Sequence, residues 1–212
     1  NNTVAIGTVA ENRASYGVSL GNQSNVTSGS DYGIAVGYQA KVSAIHGMAL
    51  GERAASSGQI SVAIGANAKA AGANSYAGGF NSASSGASSV ALGESATSSG
   101  DTSVAIGKNT VASGGDAVSI GASSQATGSD SLALGKNARA NNGDTIAIGQ
   151  DSVANSLNGV ALGKTSKATG ASATALGPQS TASATLSTAI GMNSVANQEY
   201  ATAIGVGSQA TA

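Results

Sequence analysis

The groups in this chain that could do chemistry are few. It has one histidine, His46, and no cysteine. Thiol catalysis, disulfides and thiolate zinc sites therefore have no raw material, and a Ser/His/Asp triad would have to rest on His46 alone, which has no evident base or metal partner. The carboxylates that do occur at regular spacing are Asp116, Asp130 and Asp144. Such a row either splays into water, gathers a cation or holds a proton, and splaying is the expectation for side chains on turns. Lys108, Lys136 and Lys164 recur at twice that spacing, as a solvated basic row or a weak anchor for anionic partners. Tyr16, Tyr32 and His46 form a third series near the start of the chain. Aromatic side chains stacked at an exposed edge can recognise sugars or peptides, or can simply shield a fraying end. Sequons begin at Asn1, Asn22 and Asn25. The glycines belong to no phosphate-cradling motif, so no catalytic residue, cofactor or metal is expected and the chain does not read as an enzyme.

Charge and composition narrow the field further. Nine Lys and Arg against ten Asp and Glu leave a formal net charge of −1, so a basic nucleic-acid-binding surface is not expected. Only 9% of residues are charged and 3% aromatic, while Gly fills 31 positions. A core of Leu and Phe cannot be assembled from this, and whatever folds must fold around Ala, Val and Ile. There is no run long and apolar enough for a membrane span.

The elements that would position these residues are set by a repeat. An Ala/Ser, then Ile/Leu/Val, then Gly element recurs from Gly7 to Gly205, and from Gly37 onward the step is 14 residues without a slip. The one irregular step is 16 residues, from Gly21 to Gly37, which places a two-residue insertion within 27–31. Upstream of each anchor glycine the order is large, small, large: Val104-Ala105-Ile106-Gly107 is typical. That period of two predicts a strand. Beyond the glycine, small residues three and five positions on, such as Ala138 and Ala140, flank a variable and mostly polar one, such as Arg139, and predict a second strand. Two short strands and two turns per repeat make one coil of a flattened parallel solenoid, with about fifteen coils at about 4.8 Å each. The expected fold is all-β, one domain over residues 1–212.

Alternation says which side chains share a face, not which face is inside. If the small faces meet, the roll is thin and Ala-lined, and the Val/Ile face lies outside as a stripe of roughly 700 Å², which other copies of the chain would have to cover. Ile64, Tyr76, Leu92, Ile106, Ile120, Leu134 and Ile148 would then form the core of that assembly. The opposite packing buries Val and Ile and leaves a monomer with a flat Ala/Ser/Thr face.

Units such as Ser61-Val62-Ala63-Ile64-Gly65, Ser89-Val90-Ala91-Leu92-Gly93 and Ser103-Val104-Ala105-Ile106-Gly107 resemble the head repeat of YadA-like trimeric autotransporter adhesins, over essentially the whole chain. The resemblance implies a left-handed parallel β-roll assembled as a homotrimer. It also implies exposure at the cell surface, on the outer membrane of a Gram-negative bacterium, and a head that binds extracellular-matrix proteins such as collagen or attaches to surfaces and other cells. Neck, stalk heptads and membrane anchor are not recognisable here, so the chain reads as a head alone, with any membrane contact made through an anchor outside it. Tyr16, Asp31, Tyr32, His46, Lys108, Lys136 and Lys164 are the candidate ligand contacts. A monomeric ice-binding or purely structural solenoid is the alternative, with Thr174, Thr188 and Thr202 as the start of a threonine ladder.

Overall fold

The computed structural model describes residues 2–211; Asn1, which opens one of the sequons, and Ala212 lie outside the described residues. The chain forms two compact units divided after Asn109. The first holds eight three-residue strands, from Val4–Ile6 to Val104–Ile106, and seven two-residue strands, from Glu11–Asn12 to Thr97–Ser98. In the second, seven three-residue strands run from Val118–Ile120 to Thr202–Ile204, with eight two-residue strands from Val111–Ala112 to Gln209–Ala210. No helix occurs among the described residues. The fold class is the expected one, an all-β parallel solenoid with about fifteen coils over its two units.

Within each unit every strand pairs in parallel with its counterpart one coil away. Val90, Ala91 and Leu92 lie beside Val104, Ala105 and Ile106, and Lys69 and Ala70 beside Ala83 and Ser84. Like therefore stacks on like along each unit. The insertion shifts this register once: Val18 pairs with Ile34 and Asn25 with Lys41, 16 residues apart. The extra length is taken up at Ser28 and Gly29, both exposed, where Gly29 turns the chain at φ +80°.

The small faces point inward. Ala63, Ala105 and Ala133 are fully buried, whereas Ile64 and Leu134 are 37% and 40% exposed. The packing that buries Val and Ile is therefore not adopted. The reason is width: the two strands of a coil are joined by so short a turn that their inner faces nearly touch. Where an inner position does carry Val, as at Val42, the position facing it is a glycine, Gly47, whose added Cβ would meet Val42 Cγ1 at 2.8 Å. Some inner serines satisfy one another across the same gap, although Ser75 Oγ is buried without a partner among the described residues. Ser56 with Ser61 and Ser98 with Ser103 bring their Oγ atoms to 2.7 and 2.6 Å, so burying these hydroxyls leaves no lost hydrogen bond to offset.

The anchor glycine turns each coil. Gly135 sits at φ +131°, and a Cβ there would lie 2.8 Å from the carbonyl carbon of Gly149 one coil on; no side chain fits that space or that dihedral. A second rhythm runs through the turns. At intervals of seven residues a non-glycine residue adopts the left-handed conformation, as at Asn67, Asn74 and Asn81. Asn and Asp tolerate it best among side-chain-bearing residues.

Candidate functional site

Three surfaces present the singled-out residues. The first is the outward face of the three-residue strands, where Val, Ile and Leu stand partly exposed on either side of a buried Ala, as in Val90, Ala91 and Leu92. In each unit the register stacks these residues into two apolar columns; Ile64, Leu92 and Ile106 belong to one column of the first unit, and Ile120, Leu134 and Ile148 to the corresponding column of the second. Tyr76 and Gly78 interrupt the pattern with their volumes exchanged. A Cβ on Gly78 would meet Tyr76 Cε1 and Leu92 Cδ2 at 2.8 Å each, so the ring of Tyr76 and the neighbouring leucine occupy the space that an Ile side chain fills elsewhere. Thr174, Thr188 and Thr202 pair in register at the end of the second unit, replacing Val in the other column for three coils.

The second surface is the turn edge entering these strands. Tyr16, Tyr32 and His46 stack there as a ladder: Tyr16 and Tyr32 have centroids 5.2 Å apart at 8°, and Tyr32 and His46 are 5.0 Å apart at 20°. All three are exposed. Because the rings lie face on face, both flat surfaces of Tyr32 and one each of Tyr16 and His46 are spent on one another. Asp31 is tied into the same edge, its Oδ1 accepting from the Ser15 backbone N–H at 2.8 Å. Farther along, Asp116, Asp130 and Asp144 occupy the equivalent position at φ 53°, 54° and 55°. Their recurrence has a backbone cause, since the turn demands a left-handed residue and Asp accepts that conformation. No group of three or more His, Cys, Asp or Glu able to hold a metal ion is found among the described residues.

The third surface is the turn edge leaving those strands. Lys108 pairs with Glu94 one coil earlier, Nζ to Oε1 3.0 Å. Lys136 and Lys164 are exposed and form no ion pair among the described residues. Sequence reasoning missed the polar ladder at the start of this edge. Gln39 donates to Gln23 at 2.6 Å, Arg53 Nε donates to Gln39 at 3.1 Å, and the Arg53 guanidinium pairs with Glu52 and lies 5.6 Å from the centroid of Tyr38. The signal was present as same-position neighbours one coil apart, legible only once the coil is known. A shallow depression of about 280 Å³ lined by Asn137, Arg139, Asp151 and Val153 lies beside the same edge in the second unit, where Asn137 Nδ2 donates to Asp151 at 2.8 Å. In the first unit Tyr16, Asp31, Tyr32 and His46 thus fall on the entering edge and Lys108 on the leaving edge, while Lys136 and Lys164 lie on the leaving edge of the second unit.

A family model described as the YadA head domain repeat, two copies, matches residues 28–54, 56–82, 84–110, 112–138, 140–166, 168–194, 182–208 and 196–212. Each full window covers two coils, and together the windows take in most of the chain: it belongs to the YadA head domain repeat family. That family is one of adhesin-like heads of trimeric autotransporters, exposed at the bacterial surface and typically without enzymatic activity. No curated protein matches the chain.

Proposed function

We propose that this chain is the exposed head of a bacterial surface adhesin that assembles as a homotrimer through the outward apolar face of its three-residue strands. The head binds an extracellular-matrix protein such as collagen, or attaches the cell to other surfaces and cells. It is held at the outer membrane by an anchor elsewhere in the protein. The observation that carries this reading is the placement of hydrophobic side chains. The interior is already filled by Ala and Ser, and the larger Ile and Leu side chains are left half in water, Leu134 at 40% and Leu162 at 39%. A continuous face of this kind marks an interaction surface on a stable domain. Ile64, Tyr76, Leu92, Ile106, Ile120, Leu134 and Ile148 would then lie against their counterparts in neighbouring copies. Tyr16, Asp31, Tyr32, His46 and the lysine edge would face outward to the ligand. Affinity for the ligand would come from many weak contacts repeated over three chains and many heads.

Sedimentation equilibrium of the purified chain, followed by binding to collagen-coated and uncoated surfaces, tests the two halves of the reading. The expected result is a trimer that is retained on collagen in a dose-dependent way. A folded monomer would overturn the assembly, and a trimer with no preference for the matrix protein would overturn the ligand.

A further inference from the structure

The outward face of the two-residue strands points away from the apolar columns, and beside it the second unit gathers its cations. That unit has four Lys and Arg against five Asp and Glu, yet the two signs are largely kept apart. Asp116, Asp130 and Asp144 occupy the turn edge entering the three-residue strands. Lys136 and Lys164 stand on the leaving edge, and Arg139 and Lys167 on the adjoining outward face. All four cations are exposed, and none forms an ion pair among the described residues. Arg139, Val153 and Lys167 follow one another in register, so the two cation-bearing coils lie roughly 10 Å apart at about 4.8 Å per coil. Lys136 precedes Arg139, and Lys164 precedes Lys167, by the same three residues. The result is a two-by-two array of positive charge. The first unit repeats the step on the same face, where Lys41, Ala55 and Lys69 pair in register, with both lysines exposed and outside any ion pair among the described residues.

What lies between the two rows narrows the partner. The depression of about 280 Å³ is lined by Asn137, Arg139, Asp151 and Val153. Asp151 accepts from Asn137 with one oxygen and keeps acceptor capacity for hydroxyl groups on the other. Val153, half-buried, offers an apolar spot to the C–H face of a ring. A bare inorganic anion would use neither and would be repelled by Asp151. An extended acidic peptide presents side chains on one face about every 7 Å, out of step with the array. Exposed ion pairs are weak singly, so the partner has to be a polymer that makes several at once. Two cations in each row ask for two anions per repeat of that polymer; a sugar carboxylate supplies one and a sulfate the other. We infer that this face binds a sulfated polysaccharide, its anions against Lys136, Arg139, Lys164 and Lys167 and a sugar ring seated over Asp151 and Val153. The inference deepens the adhesin reading and rests on it for the exposure of this face in the assembly; it does not require collagen as a ligand.

Retention of the purified chain on immobilised chondroitin sulfate, which alternates a carboxylated with a sulfated sugar, tests this across a sodium chloride series. The expected result is binding that weakens as salt rises and that falls about 3- to 10-fold in Arg139→Gln/Lys167→Gln. Adding Lys41→Gln and Lys69→Gln should weaken it further, whereas Arg139→Lys/Lys167→Arg should bind as the parent does. Arg13→Gln/Arg53→Gln removes the same charge from residues already paired with Glu11 and Glu52, and should leave retention unchanged. Circular dichroism of each variant should match the parent, because every substituted side chain is exposed or half-buried. No retention at physiological salt, or equal loss in the Arg13/Arg53 variant, overturns the inference. Equal retention on hyaluronan, which has the carboxylate without the sulfate, overturns the sulfate assignment, and equal retention on polyglutamate hands the face to acidic peptides instead. Collagen binding is measured on the same preparations. A head that ignores collagen and holds the sulfated chain leaves this inference standing, and the reverse overturns it alone.

Discussion

Gly135 is where the repeat tolerates a side chain least. Its dihedral lies outside the range open to residues with a Cβ, and the added atom would also press into the backbone of the next coil. Gly135→Ala should cost about 3 kcal/mol or more, from strain and displaced backbone together. Gly115 is the control, since a Cβ there meets nothing within 4 Å; Gly115→Ala should be neutral or stabilise by up to ~1 kcal/mol. Chemical denaturation of the two variants against the parent chain checks both. At this scale the sequence was partly legible. The glycine period is visible because no substitute is allowed, so it never varies. The seven-residue rhythm of left-handed turns is hidden because the turn accepts several residue types at modest strain. Asn67 and Asp116 betray it, but Ile60, Thr102 and Leu186 adopt the same conformation and carry no such signature. That is why Asp116, Asp130 and Asp144 read as a chemical row when their shared cause is a backbone dihedral.

At the scale of the element, the unit of stability is the coil. Each strand pairs only with its neighbours one coil away, and the anchor glycine, the inner Ala and the outer Ile each stack on their own kind. Deleting one whole coil, Glu52 through Gly65, should therefore leave a folded chain with its register restored. Deleting only ten residues from the same place should abolish cooperative folding, because side chains would be thrown onto the wrong columns. Circular dichroism and thermal melting of the two deletions distinguish them; equal stability would count against the coil as the stacking unit. The strands and their order could be read from alternation alone. Which face lies inward could not, because alternation is symmetric between faces. The deciding quantity is the narrow gap between the two strands of a coil, and its trace in the sequence is the pairing of bulk with its absence, Val42 against Gly47. That pairing joins residues on different strands and has no meaning until the coil is closed.

For the whole molecule, the question is what covers the apolar columns of each unit. Leu134→Asp addresses it because the side chain is exposed in the single chain, so a carboxylate there stays solvated and the coil should still fold. If the face is shared among copies, the same change sets one charge per chain into a dry contact, at about 3–5 kcal/mol for a charge buried without a partner. The expected outcome is loss of the trimer by sedimentation with the β-rich circular dichroism spectrum retained. Ala133→Asp, one residue away and fully buried, should instead prevent the coil from forming, which separates failure to assemble from failure to fold. A Leu134→Asp variant that still sediments as a trimer would show that copies meet somewhere other than on this column.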